Sequence, residues 1–129
     1  MTTVLVVDDD PDACHVLVKL INRSDGPAAS VEDGPAALRF MEGEVPQMLF
    51  LDWMMPDMSG LQVLQAMRAD SRFAALPVVI FSAVSDPAVK LQALEAGAQA
   101  FIIKGEFEEL FSVLKKFRKP LTADGPPGR

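Results

Sequence analysis

Five side chains of this chain could do chemistry as a group: Asp8, Asp9, Asp52, Ser82 and Lys104. Clustered carboxylates repel one another, so they either share protons or bind a cation. Hard oxygen ligands with open positions suit Mg2+, which keeps several waters and pairs well with phosphate oxygens. A carboxylate is also a nucleophile toward phosphorus and then becomes an aspartyl-phosphate. A lysine, a hydroxyl donor and the cation would neutralise the charge spread over the phosphoryl oxygens. One pair of acids is a weak signal, but five groups at the ends of four strands is a strong one.

The elements that must deliver them are legible as short apolar runs. Strands are expected over Val4 to Asp8, Ala28 to Val31, Met48 to Asp52, Val78 to Ser82 and Ala100 to Ile103. Three of these are almost continuously apolar, as strands are when helices cover both faces of a parallel sheet. Between them lie helical stripes: Cys14, Leu17, Val18 and Ile21; then Leu61, Leu64 and Met67; then Phe107, Leu110, Phe111, Leu114 and Phe117. Asp10-Pro11 and Asp86-Pro87 each set a capping carboxylate before a proline suited to a first helical turn. Gly34-Pro35 is expected to open the second helix, and Gly97 to close the fourth as a left-handed cap.

The last helix starts with Glu106, Glu108 and Glu109 and ends with Lys115, Lys116, Arg118 and Lys119, which complements the helix dipole. That basic cluster reads as a solvated helix end. Alternating strands and helices imply a three-layer α/β sandwich with right-handed crossovers. In open parallel sheets, ligands sit outside the carboxyl ends of the strands, which is where all five groups fall.

Composition narrows the class. A chain of 129 residues, half of them hydrophobic, suits one domain, expected over residues 1–119 with a patternless tail at 120–129. The net charge of -6 argues against binding a phosphate backbone, so no direct nucleic-acid contact is expected. The single cysteine, Cys14, excludes an internal disulfide and reads as a small core hydrophobe. No run of ~20 apolar residues and no export signal is visible, so a cytoplasmic location off the membrane is the expectation. His15 lies off the first apolar stripe and reads as surface, and Asp10 as a helix cap.

The runs Leu5-Val6-Val7-Asp8-Asp9-Asp10, Leu51-Asp52-Trp53-Met54-Met55-Pro56-Asp57-Met58-Ser59-Gly60, Ile80-Phe81-Ser82-Ala83 and Ile102-Ile103-Lys104 resemble the receiver domain of two-component response regulators. The resemblance covers roughly Thr3 to Phe117. It implies a flavodoxin-like, doubly wound (βα)5 fold with strand order 2-1-3-4-5. It also implies that Asp52 is the phosphoacceptor. Asp9, Asp52 and the Met54 carbonyl would ligate Mg2+ (with Mn2+ as the alternative), and Asp8 would act through water. Lys104 and Ser82 would contact the phosphoryl oxygens, and Phe101 stands at the family's switch aromatic.

The implied partners are a sensor histidine kinase or a histidine phosphotransfer protein and a downstream protein. The latter would be bound on the face of the fourth helix, fifth strand and fifth helix. The implied state is a monomer or a weak phosphorylation-dependent homodimer. With no effector domain in sight, a stand-alone regulator is expected. It would be a phosphoacceptor that assists its own phosphotransfer and slow autodephosphorylation rather than an enzyme.

Four positions depart from the family pattern. Gly105 replaces the usual proline after the lysine, and Ser82 the commoner threonine. Met54 and Val84 stand where side chains influence attacking water and offer it no hydrogen bond, so a long-lived phosphoryl group is expected. Other readings are weaker. An unphosphorylated receiver-like scaffold would be favoured by loss of an acid or the lysine, and none is lost. A haloacid-dehalogenase-type phosphatase needs a second acid two residues after the nucleophile, where Met54 stands. A nucleotide-binding fold lacks its glycine-rich loop.

Overall fold

A computed structural model describes residues 3–25, 27–83 and 85–117. The expected tail, Arg118 and Lys119, and Val84 lie outside the described residues. Five strands, β1 (Val4–Val7), β2 (Ala28–Val31), β3 (Met48–Leu51), β4 (Val78–Ser82) and β5 (Ala100–Ile103), alternate with five helices. These are α1 (Pro11–Asp25), α2 (Gly34–Gly43), α3 (Gly60–Arg68), α4 (Pro87–Glu95) and α5 (Phe107–Phe117). All neighbouring strands pair in parallel, in the order β2-β1-β3-β4-β5. This is the expected flavodoxin-like fold.

Two strands stop one residue earlier than expected, at Val7 and Leu51. The acids that follow are still held by the sheet. The Asp8 amide donates to the Val31 carbonyl at 3.2 Å, and the Asp52 amide to the Val7 carbonyl at 2.9 Å.

The period-2 geometry of each strand divides its side chains between two cores. Val4, Val6, Met48, Phe50, Val79, Phe81 and Ile102 face α1 and α5, where Cys14, Leu17, Ile21, Leu110 and Leu114 close the layer. Leu5, Val7, Leu49, Leu51, Ile80 and Phe101 face the opposite layer, with Met41, Val63, Leu64, Met67 and Ala93. Both faces are buried, which is why the strands read as apolar runs rather than alternating ones. Phe50 is among the largest fully buried side chains, and truncation to alanine there would cost about 3–5 kcal/mol.

The helix boundaries follow local chemistry. The Asp10 carboxylate accepts from the Asp12 amide at 3.0 Å, and the Asp86 carboxylate from the Ala88 amide at 2.9 Å. Gly34-Pro35 does open α2, but the capping side chain is Asp33, which accepts from the Ala36 amide at 2.7 Å. Gly97, at φ +111, closes α4 in the left-handed conformation.

The stripe drawn for α5 needs correction. Leu110 and Leu114 are buried, with Val113 and Phe117 partly so, while Phe107 and Phe111 are exposed. The buried face of the helix is rotated away from two of its three phenylalanines.

Candidate functional site

The chain passes from β1 to β2 on one side and then crosses back to β3 on the other, so the order of strands reverses between β1 and β3. Loops diverge at such a point and leave a crevice at the carboxyl ends. Asp8 and Asp9 follow β1, and Asp52 follows β3. Each offers a carboxylate oxygen, and these oxygens lie within 4.8 Å of one another. Asp8 and Asp52 are buried and Asp9 is exposed, so the cluster is a pocket with one open wall.

Asp8 is oriented on both sides. Its Oδ1 accepts from the Asp10 amide at 2.9 Å, and Cys14 donates its thiol to the Asp8 carbonyl at 3.2 Å. Its Oδ2 is buried with no hydrogen bond of standard geometry, and the Lys104 ammonium stands 2.8 Å away. The same ammonium is 3.5 Å from Asp52 Oδ1. Lys104 is delivered by the β4–β5 pairing, its amide donating to the Ser82 carbonyl at 2.8 Å. Ser82 is fully buried at the end of β4. Phe101, in β5, is buried and packs in the core beside α4.

The loop after Asp52 is shaped by close backbone approach. The Gly60 amide donates to the Trp53 carbonyl at 3.0 Å, and a Cβ on Gly60 would lie 2.3 Å from the Asp52 carbonyl oxygen. Only glycine fits there without moving the acid. Asp57 takes φ +70, and Ser59 caps α3 in a reciprocal box with Gln62. Trp53 is buried, while Met54 beside it is 65% exposed. Gly105 adopts φ +99, and among the described residues every peptide bond is trans. Gly105 takes this conformation without strain, because glycine reaches such a φ freely.

The electrostatics are those of a crowded acid site. Burial, reinforced by the Asp8 charge, raises the Asp52 pKa from 3.8 to about 6, against the opposing pull of Lys104 and the Met54 amide. For Lys104, burial favours the neutral amine. Asp8 and Asp52 outweigh it and hold the ammonium above the ordinary lysine pKa. One lysine thus stands against three carboxylates, and the donor set is hard oxygen. These residues fit a divalent cation such as Mg2+, which would relieve the residual negative charge.

Asp8, Asp9 and Asp52 therefore cluster, and Lys104 meets Asp8 and Asp52, with Ser82 at the end of the strand that pairs with β5. Two contributors escaped the sequence reading. The Asp10 amide as the orienter of Asp8 has no side-chain signature. Ser59 carried a visible one, the spacing Ser59-Gly60-Leu61-Gln62.

The sequence model of the response regulator receiver domain matches residues 4–115. A curated relative, the transcriptional regulatory protein KdpE of Mycobacterium tuberculosis, is 36% identical over 104 residues, covering 81% of this chain and 45% of that protein. The chain spans about half the length of the curated relatives it matches. Among solved structures, Thermotoga maritima response regulator TrrA in complex with Mg2+-BeF superposes with a TM-score of 0.80 at 27% identity, covering 91% of this chain and 99% of that one. Vibrio cholerae chemotaxis protein CheY4 superposes at 0.84 and 23% identity, covering 91% and 98%, a likeness of fold.

Proposed function

This chain belongs to the response regulator receiver family of two-component signalling, and from that premise we propose that Asp52 is its phosphoacceptor. The donor is a phosphohistidine on a sensor histidine kinase or a histidine phosphotransfer protein. The observation that carries the reading is the cluster of three carboxylates from the ends of β1 and β3, two of which, Asp8 and Asp52, meet the Lys104 ammonium that follows β5.

An Asp52 oxygen attacks phosphorus as the phosphorus–nitrogen bond to the donor imidazole breaks, the electron pair leaving with that ring. Asp8, Asp9, Asp52 and the Met54 carbonyl would hold Mg2+, whose contribution when bound is charge neutralisation on the phosphoryl oxygens. Lys104 gives up part of its interaction with Asp52 to meet those oxygens, and the Ser82 hydroxyl donates to one of them. Asp8 retains Lys104 in place throughout. An Asp52 whose pKa is already raised is a less solvated and stronger nucleophile once ionised beside the cation.

Phe101 transmits the change, since it lines the cleft between α4 and β5. The α4-β5-α5 face, with Leu91 and Leu94 exposed on α4, is the surface offered to a downstream protein. The acidic balance of the chain keeps nucleic acid off this unit. Among the described residues no helix is long and apolar enough to cross a membrane.

The test is intact-mass measurement after incubation with Mg2+ and acetyl phosphate. Wild type gains one phosphoryl group, and the gain disappears with a chelator and in Asp52→Asn. No gain in wild type, or an undiminished gain in Asp52→Asn, would contradict the reading, the former favouring an unphosphorylated scaffold.

A further inference from the structure

Helix α4 is attached to the domain unevenly. Of its nine residues only Ala93 is buried, with Val89 and the cap residue Ala96 partly so. Its two ends meet different surroundings.

At the carboxyl end, Arg68 from the last turn of α3 reaches across. Its Nε and Nη2 donate to the Gly97 carbonyl at 3.3 and 2.8 Å, and its Nη1 to the Phe73 carbonyl at 3.0 Å. Nη2 also donates to Gln99 Oε1 at 3.2 Å, and that oxygen accepts from the Val78 amide at 2.7 Å. One guanidinium thus joins α3, the turn before β4, the start of β4 and the turn from α4 into β5. A planar fork with five donors is the side chain that can do this; a lysine cannot. Gly97 is needed twice, for its φ of +111 and because a Cβ there would stand 2.8 Å from Arg68 Nε.

At the amino end there is no comparable tie among the described residues. A cleft of about 220 Å3 lies there instead, lined by Pro87, Lys90, Phe101, Ile103 and Glu109.

We propose that Arg68 is the fixed end of a lever: α4 pivots at Gly97, and its amino-terminal half moves over the cleft floored by Phe101. The regulatory use of that lever rests on the reading of Asp52 as phosphoacceptor, because the chain leading into α4 starts at Ser82 beside the acid pocket.

Residue-resolved amide exchange on the metal-free full chain tests the pivot. In wild type the Lys90 amide, bonded to the Asp86 carbonyl, should exchange about tenfold faster than the Ala96 and Ala98 amides at the clamped end. In Arg68→Ala that ratio should collapse toward one while the central-strand amides of Phe50 and Ile80 remain protected. If Arg68→Ala does not fold, Arg68→Lys, which keeps the charge but loses the fork, provides the same comparison. Equal or slower exchange at Lys90 in wild type, or an unchanged ratio in a folded variant, would overturn the proposal.

A second arm adds Mg2+ with beryllium fluoride. Away from the acid pocket, changed exchange along α4 and its closing turn should be confined to residues 88–91 in wild type and spread to residues 96–98 in Arg68→Lys. An adduct that alters residues 96–98 in wild type would overturn the pivot. If fluorine NMR detects no bound beryllofluoride, the phosphoacceptor reading fails, and the metal-free ratio still decides the pivot.

Discussion

Lys104 Nζ lies 2.8 Å from Asp8 Oδ2, a buried oxygen that accepts no hydrogen bond of standard geometry among the described residues. The lysine side chain is 27% exposed, whereas Asp8 is almost wholly enclosed. The pair is therefore asymmetric: the ammonium can reach water, and the carboxylate depends on the ammonium.

Removing the lysine should expose that dependence. Lys104→Met leaves an uncompensated buried charge, and the expected cost in chelator is about 3 kcal/mol. Because the remaining cluster is more negative, Mg2+ should bind the variant more tightly than wild type and restore more stability to it. Chemical denaturation with and without Mg2+ measures both. A variant as stable as wild type in chelator would show that Asp8 does not rely on Lys104.

The raised pKa of Asp52 gives a pH signature. Below about pH 4 the acid is protonated in both folded and unfolded chains, and burial costs nothing. As pH rises through about 6 the folded chain must carry the charge, and the stability it enjoyed at low pH is lost. A shift from 3.8 to about 6 corresponds to roughly 3 kcal/mol. In chelator, Asp52→Asn should therefore be more stable than wild type at neutral pH by up to that amount, with the gap closing near pH 4. Thermal denaturation across that range, repeated with Mg2+ to narrow the gap, checks the sign.

Gly105 holds φ +99 immediately after Lys104, a conformation closed to proline, whose ring fixes φ near −65°. Restoring the family's usual residue should not improve this chain. Gly105→Pro is expected to lose about 2 kcal/mol and to weaken the Mg2+-dependent phosphorylation rate by displacing Lys104. Gly105→Ala meets no atom within 4 Å, so it should lose only the left-handed penalty of about 1 kcal/mol. Urea unfolding of the two variants separates ring geometry from backbone strain.

Met54 is exposed two residues after Asp52, and its side chain offers attacking water no strong hydrogen-bond acceptor or donor. Met54→Asn supplies both and should shorten the life of the phosphoryl group by about tenfold, at little cost in stability. Following the decay of the phosphorylated protein by intact mass gives the comparison. Loss from wild type as fast as from the variant would remove Met54 from the account.

Much of this architecture was readable before any coordinates. The inner strands β1, β3 and β4 stand out because a sheet covered on both faces must be apolar on both, so their runs are nearly unbroken, whereas the edge strand β2 is only partly buried. Their polar endings then mark the pocket. What sequence could not show is long-range backbone acceptance. Arg68 finds its partners at Phe73 and Gly97 carbonyls, which have no residue-type signature. The rotation of α5 was hidden for another reason. A wide apolar stripe tells which side chains share a face but not which part of it meets the sheet, and Phe107 and Phe111 fell outside. Asp33 was overlooked as a cap although its setting before Gly34-Pro35 resembles the Asp10-Pro11 and Asp86-Pro87 signals.

The most direct measurement locates the phosphoryl group on the chain. Protein treated with Mg2+ and acetyl phosphate is reduced with borohydride, which converts an acyl-phosphorylated aspartate to homoserine, and the peptides are sequenced by mass spectrometry. The account predicts homoserine at position 52, with Asp8 and Asp9 recovered unchanged. Homoserine at position 8 or 9, or at none of the three in a chain that has demonstrably bound Mg2+, would contradict it.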